Sequence, residues 1–312
     1  MTISVCIPTY NRTVNLAGAI ACCLEQTLLP DVILIADDST NNETEQFVQG
    51  FKADKPVNIR YFRNRPSRGQ AGNVKFLFGE VVTDLAVLLH DDDRLLPDAL
   101  EKLHDCFTRF PDIDVAFGKQ YYMNDEEKID MQLTRKQNGD YYRDTAYAGS
   151  RLSSLEAGFL QQMPSDGYML KAAVLKTVNY NDTLRDAGDF EFGLQLGIHN
   201  FKLFFLDAFT TKYRRSENSN RMRKGNDAAI VAYTIVDGLN VPAGSEKLKT
   251  GWLRLMAPVA IAQACNLNQG KKASKIFFSK YHRNKIFSAG GIKRLLMISK
   301  ALLANHKSMS FS

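Results

Sequence analysis

Apolar and polar positions along the first 120 residues follow two different periods. Short apolar runs at Ile3–Ile7, Val32–Ala36, Asn58–Phe62, Leu85–Leu89 and Asp114–Phe117 have the length of strands in a sheet. Between them, helical patterns fall near Leu16–Gln26, Thr44–Phe51, Asn73–Phe78 and Pro97–Arg109. This alternation predicts an α/β fold with a largely parallel, Rossmann-like sheet and crossover helices. Residues 121–215 are more mixed. The polar, tyrosine-rich stretch Tyr121–Tyr147 reads as loops or short strands, Val174–Val178 as ordered structure, and Asp189–Gly197 as a helix start. Lys202–Phe205 reads as a strand running towards Tyr213, and the polar segment 216–227 as mobile. From Ala228 the pattern is helical, with breaks near Pro242–Ser245 and Asn268–Lys272.

Three polar clusters follow directly on predicted strands: Thr9-Tyr10-Asn11-Arg12, Asp37-Asp38-Ser39-Thr40 and His90-Asp91-Asp92-Asp93. In open α/β sheets ligands bind outside the carboxyl ends of the strands, so one edge should gather all three. Three consecutive carboxylates repel strongly unless water or a cation offsets them. Hard oxygen ligands at such an edge suit Mg²⁺ or Mn²⁺, which commonly bridges to phosphate. Alone, the acidic run would read as a solvated loop before a helix; the convergence of the three clusters favours a site.

Charge changes the picture at the C-terminus. The 312 residues are 45% hydrophobic and 24% charged, ordinary for a globular protein, with net charge +6. From Lys247 onward there are 13 Lys and Arg and no Asp or Glu, leaving 27 basic against 34 acidic residues in 1–246. The C-terminal region, rather than the body, is therefore suited to an anionic surface. Ile292, Leu295, Leu296, Ile298, Leu302 and Leu303 form an apolar stripe at near-helical spacing, with Lys293, Arg294 and Lys300 beside or opposite it. That pattern suits an interfacial helix at an anionic membrane, and equally a helix packed on the body or a dimer contact. No nucleic-acid-binding motif accompanies the charge. Five cysteines lack zinc-site spacing and are expected to be buried thiols. No signal peptide or bilayer-spanning stretch is expected, which favours the cytoplasm, with the inner face of the cell membrane as a peripheral site.

The order Pro8-Thr9-Tyr10-Asn11-Arg12, Gln26-Thr27, Asp37-Asp38-Ser39-Thr40 and Asp91-Asp92-Asp93 with Pro97 resembles glycosyltransferase family 2. The resemblance covers about the first 120 residues and thins to scattered positions up to Tyr213. It implies the GT-A nucleotide-diphospho-sugar transferase fold and inverting transfer from a nucleotide-sugar, a UDP-sugar foremost, to an acceptor hydroxyl. It also implies a divalent cation, Mn²⁺ or Mg²⁺, and a glycan or lipid-linked acceptor in cell-envelope glycan or polysaccharide synthesis. Residues 1–120 would be the nucleotide-sugar-binding half and 121–215 the acceptor-binding half of one catalytic domain, with 216–312 a basic helical region.

The resemblance also implies roles. Pro8 and Tyr10 would line the base pocket with Thr9 and Arg12 nearby, and Asp38 would accept a hydrogen bond from the base. Asp37 would hold the turn. Arg68-Gly69 and Asn73 match a loop near the diphosphate, though a basic turn before an ordinary helix fits equally. Counting back from Pro97, His90 stands where the family usually has an acid. Asp92 then falls on the metal carboxylate, and Asp91 on the ribose or a metal-bound water. Asp93 would be second to the metal or solvent-facing, and His90 a packing or hydrogen-bonding residue. Asp189, in Gly188-Asp189-Phe190-Glu191, would be the general base, with Asp186 an alternative. Glu191 would meet the acceptor or lie on the surface. Tyr213-Arg214-Arg215-Ser216 lacks the family's histidine, so Arg214 or Arg215 would meet the leaving diphosphate or simply be solvated. Two rivals stand beside this reading: a non-catalytic nucleotide- or glycan-binding module, and a sugar nucleotidyltransferase, whose Gly-rich phosphate loop is replaced here by Pro8-Thr9-Tyr10.

Overall fold

The computed structural model describes residues 1–184, 187–215 and 226–309, the side chains of 305–309 excepted. The segment expected to be mobile, 216–227, lies almost wholly outside the described residues, as does Asp186. By contact the chain divides into two units, Met1–Ser219 and Asn220–Ser312.

In the first unit the apolar runs become strands. In chain order they are β1 (Ile3–Thr9), β2 (Val32–Asp37), β3 (Asn58–Arg63), β4 (Leu85–Leu88), β5 (Arg94–Leu95), β6 (Val115–Met123), β7 (Tyr168–Lys171) and β8 (Leu203–Arg214). The helices are α1 (Thr13–Leu24), α2 (Glu43–Gly50), α3 (Gly69–Gly79), α4 (Ala99–Arg109), α5 (Met131–Asp140), α6 (Ser154–Phe159) and α7 (Gly188–Ile198). One eight-stranded sheet results, in the order β3-β2-β1-β4-β7-β6-β8-β5. Four of its seven neighbouring pairs are parallel, including every pair among β3, β2, β1 and β4. The expected α/β architecture is present, with antiparallel pairing entering through β7 and, at the far edge, β5.

Side chains alternate across the strands and fill two cores. Val5, Ile7, Ile33, Ile35 and Val87 face α1 and α4, meeting Leu16, Ile20, Leu103 and Phe107. Cys6, Leu34, Ala36 and Leu88 face the other way, meeting Val74 and Phe78 of α3 and Phe192 of α7. Each such aliphatic or aromatic side chain contributes about 1.5–3 kcal/mol when fully buried. All five cysteines are buried free thiols.

One stretch departs from expectation. Tyr121–Tyr147 does not consist of loops and short strands: Tyr121–Met123 complete the long strand β6, and α5 follows. The buried residues of α5 are Thr134 and Asn138. Thr134 Oγ1 accepts from the Tyr122 amide at 2.9 Å, while Asn138 accepts from the Gln120 amide and donates to its carbonyl. A helix seated through hydrogen bonds carries no apolar stripe, so periodicity could not reveal it.

The second unit comprises α8 (Ala228–Gly238), α9 (Glu246–Asn266), α10 (Gly270–Phe277) and α11 (Ala289–Met309). Helix α9 packs against the other three, with Leu253, Ala257, Ile261, Phe277 and Ile298 in the core. No helix among the described residues is long and apolar enough to cross a membrane.

Helix α7 is seated by glycine. A Cβ on Gly197 would lie 2.6 Å from both the Cα of Leu155 and the carbonyl of Ser154 in α6. Neither backbone atom can move aside without shifting a helix. Gly197→Ala is therefore expected to destabilise the fold by about 1–3 kcal/mol, read as a lower urea midpoint at unchanged slope.

Candidate active site

The acidic run lies where the topology makes a long crossing. The chain leaves β4 near the middle of the sheet and rejoins it as β5 on the far edge, so residues 90–93 pass the ends of β7, β6 and β8. Each of those ends supplies a partner. Asp166, in the turn before β7, accepts from the His90 amide at 3.0 Å and from Gln120 of β6 at 3.3 Å. Buried Arg143 donates in turn to Gln120 at 3.1 Å. At the end of β8 the Arg214 amide donates to Asp93 Oδ1 at 2.5 Å, and its guanidinium donates to the carbonyls of Asp92, Asn124 and Asp125. Arg94 donates to the Asp93 carbonyl at 2.7 Å, and Glu127 joins Arg94 and Arg214 as an ion-pair partner to both.

The three carboxylates end in different surroundings. Asp91 is buried and accepts from Thr9 Oγ1 at 2.7 Å; burial, then the charge of Asp92, pushes its pKa up to about 6. Asp92 faces the Arg12 guanidinium at 2.6 Å, and the same nitrogen lies 3.4 Å from Asp91. Asp93 is 1% exposed, so it is not solvent-facing; burial, then the nearby Asp166 and Asp92, raises its pKa well above the usual range. His90 responds to all of them. Burial alone would lower its pKa, but the charges of Asp166, Asp189, Asp92 and Asp91 outweigh this and raise it.

The ends of β1 and β2 complete the edge. Pro8 and Thr9 are buried, whereas Tyr10 is 52% exposed. Asp37 holds the turn, accepting from the Ser39 amide and from Tyr61, each at 2.7 Å. The Asp38 amide donates to the Thr9 carbonyl, and its carboxylate accepts from Asn64, Ser67 and the Arg68 amide. Asn64 also donates to Asn73. The Arg68 side chain turns back on its own helix, donating to Asn64 Oδ1 at 2.8 Å and stacking 4.4 Å over Phe76. Gln26 and Thr27 fix the far end of the acidic segment. Gln26 donates to the Leu96 carbonyl and accepts from the Leu100 amide, and the Thr27 amide donates to the Pro97 carbonyl.

Asp189 lies in the first turn of α7, where the helix dipole favours a carboxylate. Buried Tyr180 donates to Asp189 Oδ1 at 2.9 Å. Burial and the Asp189 charge hold the Tyr180 pKa far above its ordinary value, so the phenol stays a donor. Gly188 lies against Ala71 of α3, the helix whose Asn73 meets Asn64 beside Asp38. Asp38, Asp91, Asp92 and Asp189 are thus gathered at one end of the sheet. Glu191 is 8% exposed and accepts from Gln195, so it is not a surface residue. Arg214, also 8% exposed, is not solvated but anchors the acidic segment. Periodicity and motif spacing did not single out Asp166, Asn64, Tyr180 or Glu127. Only Asp166-Gly167, an acid and a glycine before the apolar run Tyr168-Met169-Leu170, carried a local mark of a turn at a strand end.

The donor set suits a hard divalent cation. One atom from each of His90, Asp92 and Asp93 lies within 4.8 Å of the others. Asp93 Oδ2 and His90 Nε2 are buried without a hydrogen-bond partner, a costly state for polar atoms that a ligand would relieve. The set contains the expected Asp92 and adds Asp93 and His90.

Known proteins resemble this chain in sequence and in fold. The profile of the family described as Glycosyl transferase family 2 matches residues 4–160. An uncharacterized glycosyltransferase of Methanocaldococcus jannaschii is 20% identical over 235 residues, covering 74% of this chain and 77% of its own length. The GalNAc(5)-diNAcBac-PP-undecaprenol beta-1,3-glucosyltransferase of Campylobacter jejuni is 33% identical over 102 residues, 32% of this chain and 33% of that one. The crystal structure of S. aureus TarS 1–349 in complex with UDP superposes with a TM-score of 0.64 at 14% identity, covering 98% of this chain and 92% of that one. The shared fold is GT-A.

The raised pKa of Asp91 has a measurable consequence. Its proton is held more tightly in the folded than in the unfolded chain, so stability falls as pH rises from about 4 to about 6 and the loss is complete above that. Asp91→Asn removes this dependence. Its stability relative to wild type should rise across that window, by on the order of 3 kcal/mol at most, and stay level above pH 6, as followed by urea denaturation at several pH values.

Proposed function

The chain belongs to glycosyl transferase family 2, and from that membership we propose that it is an inverting enzyme moving a sugar from a nucleoside diphosphate, a UDP-sugar foremost, to an acceptor hydroxyl. The observation that carries this reading is the make-up of the edge: Asp91 and Asp92 share the Arg12 guanidinium, His90, Asp92 and Asp93 set ligand atoms within 4.8 Å of one another, and Asp189 opens α7 held by Tyr180. Asp38 is tied to the same edge through Thr9 and Asn64. A binding module would need Asp38 but would have no use for Asp92 and Asp189 together.

In this reading residues 1–120 hold the nucleotide and 121–215 the acceptor. Pro8, Thr9 and Tyr10 line the base pocket. Asp38 accepts from the base beside its three protein donors, since a carboxylate offers about four acceptor positions. Asp91 meets the ribose. Arg12, now paired with Asp91 and Asp92, is placed to meet phosphate oxygens, and Arg68 would turn outward to the diphosphate. Asp92, with His90 and Asp93, would hold Mn²⁺ or Mg²⁺, which when bound neutralises charge growing on the leaving diphosphate. Asp189, aimed by Tyr180, removes the acceptor proton as the hydroxyl oxygen attacks the anomeric carbon from the side opposite the diphosphate. General-base assistance of this kind contributes about 10²–10⁴ in rate. The UDP held by the Staphylococcus neighbour supports a uridine donor, and the name of the Campylobacter relative supports a lipid-linked acceptor in envelope glycan synthesis.

Two measurements test the reading. Asp189→Asn should lower transfer by about 10²–10⁴ while UDP still binds by calorimetry, because the carboxamide keeps the size of the group but cannot take a proton. Undiminished transfer would remove Asp189 from the mechanism. Turnover of a panel of UDP-, GDP- and dTDP-sugars should favour UDP and vanish on chelation, returning with added Mn²⁺. Binding of a nucleotide with no donor consumed would favour the non-catalytic module.

A further inference from the structure

The apolar stripe of the C-terminal helix divides into two faces with different fates. Ile298 and Ala301 of α11 are 3% exposed, and Leu302 packs on Gly270 of α10. These residues hold the helix on its own unit. Ile292, Leu295, Leu296 and Leu303 are 56%, 43%, 61% and 66% exposed. At 3.6 residues per turn the four fall within an arc of about 100° that begins beside Leu302 and runs away from Ile298 and Ala301. Lys293 and Lys300 lie along one border of that arc and are exposed. Phe287, two residues before the helix, is 93% exposed. Single exposed aliphatics are common on surfaces, but four on one arc of one helix mark a contact site.

The charge around the arc indicates what covers it. No acid occurs after Glu246, while 13 Lys and Arg do. A second copy meeting this face symmetrically would bring a basic border against a basic border. An anionic bilayer complements both parts of the face, accepting aliphatic side chains at the boundary of headgroups and acyl chains and lysines at the phosphates. No helix among the described residues is long and apolar enough to cross a bilayer, so the contact lies in the membrane plane. We infer that α11 is an interfacial helix, laying Ile292, Leu295, Leu296 and Leu303 into an anionic lipid surface with Lys293 and Lys300 at the headgroups. The inference does not depend on which donor or acceptor the enzyme uses.

The test is co-sedimentation of the full chain with vesicles of phosphatidylcholine alone or mixed with phosphatidylglycerol. Wild type is expected to pellet with the mixed vesicles, weakly with phosphatidylcholine, and less as salt rises. Lys293→Gln and Lys300→Gln should each lower partitioning about fivefold, the equivalent of about 1 kcal/mol per basic residue. The triple variant Ile292→Gln, Leu296→Gln, Leu303→Gln should abolish it while keeping the wild-type thermal transition, since all three side chains face outward. Failure of wild type to pellet, or pelleting by the triple variant equal to wild type, overturns the inference. So does a concentration-dependent dimer in ultracentrifugation that the triple variant dissolves, which would give the face to a second copy.

Discussion

Three adjacent carboxylates are held at the end of β4 against their mutual repulsion, and the form of the sheet edge follows from how that is done. At about 4 Å two like charges cost about 4 kcal/mol under near-surface screening. The protein meets this cost by separating the three acids and fixing their backbone with cations. Arg12 stands between Asp91 and Asp92. Arg94 and Arg214 bond the carbonyls of Asp93 and Asp92, so the segment is held by its main chain and each side chain can take its own direction. Asp93 is carried inward to the Arg214 amide, where it faces Asp166. The crossing from the middle of the sheet to its edge makes this possible, because it brings three strand ends beneath one short loop.

That arrangement explains what could be read from the chain and what could not. Strands β1 to β4 were legible because their apolar runs are local facts, and so was the gathering of Asp38, Asp91 and Asp92 at one edge. The burial of Asp93 was not legible. It depends on Asp166, more than seventy positions away, and on Arg214, farther still. Helix α5 was hidden for another reason, since its seat on β6 is polar. In α11 the difficulty was reversed: the stripe was plain, but only the packing of Leu302 on Gly270 separates inward leucines from outward ones. Local pattern gives the elements; their neighbours decide which face of each is spent on the core.

The family motif also gains a physical meaning where it had only a position. Gln26-Thr27 lies far from the acids in sequence and touches none of their carboxylates. Gln26 instead grips the chain on both sides of Pro97, at the Leu96 carbonyl and the Leu100 amide, and Thr27 holds the Pro97 carbonyl itself. The turn after α1 therefore fixes the exit of the acidic segment, while Asp166 fixes its start at the His90 amide. A loop clamped at both ends can carry strained electrostatics without unfolding locally.

The strain itself is concentrated on few atoms. Asp93 Oδ2, 3.9 Å from His90 Nδ1, and His90 Nε2 have no hydrogen-bond partner, and a buried polar atom left so costs about 1–3 kcal/mol. The acids of the neighbouring strand ends are matched: Asp37 to Ser39 and Tyr61, Asp38 to Asn64, Ser67 and Arg68, and Asp91 to Thr9. A sequence that satisfies its polar groups at most positions and leaves two bare beside Asp92 has not packed carelessly; local rules fail where function requires it. The two residues that carry these atoms, with Asp92, make up the oxygen and nitrogen set that a divalent cation would complete. The acids around His90 raise its pKa and so favour positive charge at that spot, and a cation held there by the ring would have to displace the imidazolium proton.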